Sequence, residues 1–453
     1  MRPLPAPALL ALYALFAGVA LGVYAPALHG PFVSDDFGTL VANPYVRELS
    51  WRNLLAILDP WGLPALYGAN WAPLHLLAHA LEWQLWGPAV TGYHVVNVLA
   101  HAGVATLLVA WLGSRGFGPL PCVLAGAFFL LHPANVEAVA WIFQLKTILA
   151  LGLATAALGL HPRSGPAGLV LFTLALLVKA SALFALPVAA TLAWVHRERQ
   201  SGWRLHAPWL VGWALVLVLY AWPQFFSFER MGQTLEPLAE DPAARARTLA
   251  AFGARYLVMA VSGYGVSAFQ SPPVASSWLD GWWLLGLALA LLLGARLIFA
   301  LRAGREEAAG WVWAAAAWAP ISQIFPFLYP MADRYLYFVL PGLLLGVLGW
   351  GRSLAARRAT GRGAQARTRR TALAACVLAL PLLAGFGAWS HARAHLWQSE
   401  EALLEDSARQ YPDGLSAHLL RAQQAARRGD PEAAASHLAA AEARGFDSFQ
   451  HLL

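Results

Sequence analysis

Cysteine is almost missing from this chain. Cys122 and Cys376 are the only two, both inside apolar runs, so neither a disulfide framework nor a cysteine zinc site can be built. Lysine is as scarce, with Lys146 and Lys179 alone. Charged residues make up 12% of the 453 residues, about half of what soluble globular chains carry, while 59% are hydrophobic. These shortages exclude a disordered chain, a collagen-like chain and a stapled secreted domain. What remains is a polytopic membrane protein. The net charge of +7 does not point to nucleic acid, because the arginines gather in short connectors between apolar runs, as expected of loops on the cytoplasmic side.

A spanning helix needs about 20 apolar residues. The sequence predicts eleven spans, at about 8–26, 93–112, 118–133, 144–161, 166–180, 181–195, 208–225, 281–300, 309–326, 335–351 and 372–390. Arg2 favours a cytoplasmic N-terminus, and the first span reads as an uncleaved anchor. Splitting 166–195 into two spans keeps Arg115, Arg163, the His196–Arg204 connector, Arg302/Arg305 and the Arg352–Arg370 cluster on the cytoplasmic side. Residues 246–262 are apolar enough to span, yet crossing there breaks the parity, so they are expected along the outer face or as a re-entrant element. Residues 1–392 then form the membrane domain, with a long first outer loop at about 27–90. Within that loop Trp51, Leu54, Leu55 and Leu58 fall on one helical face, suited to the bilayer surface or to packing inside the loop. Residues 393–453 form an extracytoplasmic tail of one and a half tetratricopeptide-like units, too few to stand alone, so it must lean on the membrane domain or a partner.

The polar residues that could carry chemistry gather at the outer ends of the spans. Asp35 and Asp36 follow the first span; there a carboxylate can take a proton from a hydroxyl, or the pair can hold a divalent cation, or simply cap a helix. Leu131-His132-Pro133-Ala134-Asn135-Val136-Glu137-Ala138-Val139-Ala140-Trp141 precedes Lys146 on the same side, and the plain structural alternative there is a Glu137–Lys146 ion pair joining two helices. Lys179 lies at the next outer turn, and Asp333-Arg334 at another, where Arg334 could instead snorkel and pair with Asp333. Three cations facing two carboxylates suit a transferase with a phosphate leaving group. His75, His79, His94, His101 and Asn97 sit at helical spacings that suit packing better than metal, since no Glu follows His75 as a zincin motif requires.

The order of these motifs, with Ala332-Asp333-Arg334-Tyr335 and Trp397-Gln398-Ser399 ahead of the helical tail, resembles the transmembrane-and-tetratricopeptide O-mannosyltransferases and their bacterial relatives, within the GT-C class of integral-membrane glycosyltransferases. The resemblance implies an all-α GT-C-like bundle and a polyprenyl-phosphate sugar donor. Asp35 becomes the catalytic residue with Asp36 beside it, and Lys146, Lys179 and Arg334 the ligands of the donor phosphate. His132, Glu137, Asp333, His94 and Asn97 support them, with the Tyr93–Asn97 segment and His101 similar to the family's second span. No metal is obligatory, although Asp35 and Asp36 could recruit a divalent cation. The acceptor is a protein Ser/Thr hydroxyl on the extracytoplasmic side. A lipid or glycan acceptor, and a non-catalytic scaffold or transporter, stand as rivals. The chain departs from the family pattern at Ala72, Leu145, Thr147 and Ala180. Heavy Ala, Arg and Leu usage with almost no Lys suggests a GC-rich bacterium, hence an inner membrane.

Overall fold

The computed structural model describes residues 4–67, 70–197, 202–230, 238–324, 329–358 and 364–442. Among them the architecture is all-helical; an isolated bridge between Gln270 and Met331 is the one extended pairing. A helix stands at each of the eleven expected spans: α1 (Ala6–Tyr24), then, beyond the first loop, α6 (Val90–Ser114), α7 (Pro119–Leu131), α9 (Leu145–Leu160), α10 (Gly165–Val178), α11 (Ala185–Val195) and α12 (Gly202–Glu229). α14 (Gly281–Arg302), α15 (Glu307–Trp318), α16 (Leu336–Arg358) and α17 (Ala364–His395) complete the set. Six segments among the described residues are long and apolar enough to cross a membrane, or seven when α7 and α8 (Val136–Ala140) are taken as one span bent by 52°. The bend falls at His132-Pro133, where proline removes a backbone donor.

α10 and α11 are short because the chain breaks at Lys179, whose backbone is extended at φ −159°. They form a hairpin: His161, just before α10, bonds His206, and His196, just after α11, bonds Glu306, so both open ends lie together. α15 and α16 approach closely because their contact is glycine. A Cβ on Gly310 would stand 2.3 Å from the Gly346 nitrogen, and one on Gly342 would stand 2.5 Å from the Ala314 nitrogen.

The first loop holds α2 (Pro44–Arg47), α3 (Trp51–Leu58), α4 (Pro64–Tyr67) and α5 (Pro73–Trp86). Ser50 caps α3 by accepting from the Asn53 N–H. Trp51, Leu55 and Leu58 on α3 are 74%, 52% and 47% exposed, so its apolar face turns outward, as a bilayer-surface helix requires, and only Ile57 is buried. α13 (Pro242–Ser262) covers the segment whose crossing was in question. Its first turns are held by Arg247 donating to the Ala275 and Ser276 carbonyls, near the start of α14, and its last turn by His132 against the Ala260 carbonyl. Both ends therefore lie with the loops on one side of the bundle.

The tail forms α18 (Glu400–Gln410), α19 (Leu415–Arg427) and α20 (Pro431–Glu442), with Ser399 capping α18. Residues 443–453 of the expected tail lie outside the described residues. α18 leans on the α13–α14 loop: Ser407 donates to the Phe269 carbonyl (2.5 Å) and Gln410 to the Val266 carbonyl (2.7 Å), while Asp406 pairs with Arg393 at 2.6 Å. Trp397 stacks on Trp141, with ring centres 6.0 Å apart.

Candidate functional site

The two aspartates follow Ser34, whose positive φ of 51° turns the chain sharply after the α1 segment. The turn separates them. Asp36 is fully buried, and its two oxygens accept from the Val33 N–H (2.9 Å) and the Phe143 N–H (2.8 Å). It thereby latches the first loop to the turn between α8 and α9, while Trp141 donates its indole N–H to the Val33 carbonyl. Burial pushes the Asp36 carboxyl well above the usual carboxylate range, against the pull of its two N–H donors. Asp35 is partly exposed, and its charge acts on Asp36, Lys146 and Tyr329, so it lies near the cationic cluster. Asp36 is buried, and each of its oxygens already accepts one backbone N–H, so the two carboxylates do not share one environment. Nor do three or more His, Cys, Asp or Glu side chains converge with metal-binding geometry among the described residues.

The first turn of α9 brings Lys146 inward. The Lys146 side chain is buried; its ammonium lies 3.5 Å from the centre of the Phe143 ring and makes no hydrogen bond among the described residues. Lys179, at the α10–α11 turn, donates to the Thr147 hydroxyl (2.7 Å), which donates to the Gln144 side-chain oxygen (2.6 Å). Gln144 and Thr147 thus form a neutral hydrogen-bonded pair that holds Lys179 in place.

Glu137 takes a different partner from Lys146. Its carboxylate forms a buried ion pair with the Arg334 guanidinium and also accepts the Arg334 backbone N–H at 2.7 Å, tying α8 to the segment ahead of α16. Arg334 is buried and lies over the rings of Tyr329 (4.6 Å), Tyr335 (5.1 Å) and Trp141 (5.3 Å), so it neither snorkels nor pairs with its neighbour Asp333. Asp333 is buried too, and accepts from the Gln270 amide at 2.7 Å; the Gln270 oxygen in turn accepts from the Tyr411 hydroxyl of the tail at 2.5 Å. Sequence reasoning missed Gln270 and Tyr411, which sit in a loop and after a helix where no periodicity marks them.

His94, Asn97 and His132 hold backbone in place. His94 bonds the Gly30 carbonyl at 3.1 Å, and Asn97 points its amide at the Val139, Trp141 and Ile142 carbonyls that close α8. His132 accepts from the Ala134 N–H and bonds the Ala260 carbonyl. His101 bonds Tyr337 and the Leu130 carbonyl. His75 and His79 pack with rings 4.5 Å apart, and His79 bonds Glu82 at 2.6 Å. Burial, with His79, Lys146 and Lys179 nearby, pushes His75 well below its ordinary range. An apolar cavity of about 280 Å³ opens between α13, α14, α15 and α16; it is lined by Leu336 and by Tyr256, whose hydroxyl bonds the Ala332 backbone, so one end lies toward the Ala332–Tyr335 segment.

No family model matches the chain. The chain is similar to curated O-mannosyltransferases of the transmembrane-and-tetratricopeptide type. It is 36% identical over 129 residues to the protein O-mannosyl-transferase Tmtc1 of Drosophila melanogaster, which is 27% of this chain and 15% of that one. A Caenorhabditis elegans protein O-mannosyl-transferase is 30% identical over 191 residues, 39% of this chain and 27% of that one. The chain thus spans about a quarter or less of the length of these relatives. Among solved structures, apo ArnT from Cupriavidus metallidurans aligns over 90% of this chain and 80% of its own, at 16% identity and a TM-score of 0.46.

Proposed function

We propose that the chain is an integral-membrane glycosyltransferase of GT-C type, moving a sugar from a polyprenyl-phosphate donor to a protein hydroxyl at the outer face. The observation that carries this reading is a partly exposed carboxylate, Asp35, whose charge acts on the buried side chain of Lys146, which makes no hydrogen bond among the described residues, with Lys179 and Arg334 in the same electrostatic cluster. A buried cation of that kind calls for an anionic ligand. The sequence similarity to O-mannosyltransferases supports the same chemistry and a protein acceptor.

In this reading the donor's lipid enters the apolar cavity that ends toward the Ala332–Tyr335 segment, and its phosphate meets Lys146 and Lys179. Arg334, already paired with Glu137, shapes the cation cluster from behind. Asp35 accepts the proton of the acceptor hydroxyl as its oxygen attacks the anomeric carbon. The bond from that carbon to the donor phosphate oxygen breaks, and the polyprenyl phosphate leaves with one more negative charge, which the ammonium groups stabilise. Attack opposite the leaving group inverts the anomeric centre. Asp36 holds the loop that carries Asp35, and the tail presents the acceptor. The N-terminus faces the cytoplasm of a bacterial inner membrane, with the tail outside. No step is routed through a divalent cation.

Glycan and glycoprotein profiling of cells carrying Asp35→Asn, against wild type and a deletion at matched protein levels, tests the proposal. Asp35→Asn is expected to lose the same species as the deletion, and that species identifies a protein, lipid or glycan acceptor. A deletion phenotype that Asp35→Asn does not share refutes the role of Asp35. No phenotype in either refutes the transferase reading in favour of a scaffold or transporter.

A further inference from the structure

α6, α9 and α16 each run from the candidate site to the opposite end of the bundle, roughly 35 Å away by the length of α6. There a recess of about 780 Å³ is lined by Arg115, Arg163, Arg305 and Arg352 against Glu306 and Glu307. Both carboxylates already have a cation beside them, although the buried Oε2 of Glu307 has no hydrogen-bond partner. Glu306 bonds His196 at 2.7 Å and lies 3.5 Å from Arg352 and 4.0 Å from Arg115. Glu307 is buried against Arg296 at 2.5 Å, a cation outside the lining. Counting Arg296, five guanidiniums face two carboxylates, an excess of three positive charges.

Donor capacity is left over as well. A buried nitrogen of Arg305, Nη1, has no hydrogen-bond partner, and Arg163 makes no ion pair among the described residues. A second cavity of about 150 Å³ shares Ser114, Arg115 and Arg163 with the recess and adds His161, whose buried Nδ1 also lacks a partner. Spare guanidinium donors around an open recess match the oxygens of a phosphate group, which accept paired N–H bonds.

We propose that this recess is a binding site for a phosphate-bearing anion, separate from the candidate transferase site and independent of that reading. The phosphate can come from an anionic phospholipid headgroup of the adjoining leaflet or from free phosphate in solution. The full chain, purified in detergent, is assayed by native mass spectrometry with phosphatidylglycerol or phosphatidylcholine, and by calorimetry with inorganic phosphate. Arg163→Gln/Arg305→Gln is expected to weaken binding of phosphatidylglycerol at least tenfold, leaving phosphatidylcholine unchanged. Arg302→Gln, at the same end but outside the recess, is expected to leave both unchanged. The same loss seen for inorganic phosphate, without lipid retention, supports the site and assigns it to free phosphate. Should the double variant fold poorly, the exposed Arg163→Gln alone is expected to lose threefold or more. The proposal is overturned if neither ligand binding depends on Arg163 and Arg305, or if Arg302→Gln weakens it equally.

Discussion

The Glu137–Arg334 pair offers the sharpest test of how the site is held together. Both side chains are more than 90% buried, and Glu137 also receives the Arg334 backbone N–H. Removing one partner leaves the other charge buried and uncompensated, which costs about 3–5 kcal/mol. Glu137→Gln strands the guanidinium among Trp141, Tyr329 and Tyr335, whose ring faces offset only part of that loss. Arg334→Met strands the carboxylate near Asp333, a second buried acid. The double variant buries neither charge, so it is expected to recover about 2–3 kcal/mol relative to the sum of the singles. Denaturant unfolding in micelles, read by tryptophan fluorescence, measures all four corners of the cycle. The two readouts should then part: the double variant regains stability but not transfer, because one cation of the cluster is gone. Additive losses, or a Glu137→Gln protein as stable as wild type, would refute the assignment of the pair as a buried tie.

Three further outcomes follow from the same geometry. Lys146→Met is expected to keep the fold, since the ammonium makes no hydrogen bond among the described residues, yet lower kcat/KM for a lipid-linked donor by about 10²–10³-fold in a micellar transfer assay. The Asp36 carboxyl has a folded pKa above its unfolded value of about 3.9, so its stabilising contribution is present in acid and lost as pH rises through the folded pKa. The melting temperature of wild type should therefore fall relative to Asp36→Asn as pH climbs from about 4 toward neutrality, and parallel profiles would count against a raised pKa. Gly342→Val drives a side chain into the Ala314 backbone and should cost about 1–3 kcal/mol or more in the same unfolding assay, whereas the open Gly38 should tolerate alanine.

Much of the helix order was readable because apolar length and arginine-bearing connectors are one-dimensional signals. The break at Lys179 was readable for that reason: a charge inside a run of about 30 apolar residues has to be a turn or a cost. The pairing of charges was not. Glu137 precedes Lys146 by nine residues and Arg334 by 197, and sequence proximity favoured the wrong partner. The difference between Asp35 and Asp36 was hidden for a related reason. Adjacent identical residues differ only through backbone direction, and Ser34's left-handed turn sets that direction. Of the histidines at helical spacing, His94 and His101 proved to clasp backbone carbonyls, while His75 and His79 pack on each other and His79 bonds Glu82.

The Tyr411–Gln270–Asp333 chain has a consequence for how the molecule comes into being. Residues 406–411 emerge from the ribosome after every helix of the bundle, yet they supply donors to Val266, Phe269 and Gln270. Until then the loop that steadies Asp333 lacks its outer supports. Assembly therefore has a built-in order: the bundle packs first, and the polar ring around Arg334 reaches its final form only when the tail arrives. A chain halted before α18 is a membrane bundle with an unfinished site, which makes the tail a closing piece of the architecture and not an accessory hung from it.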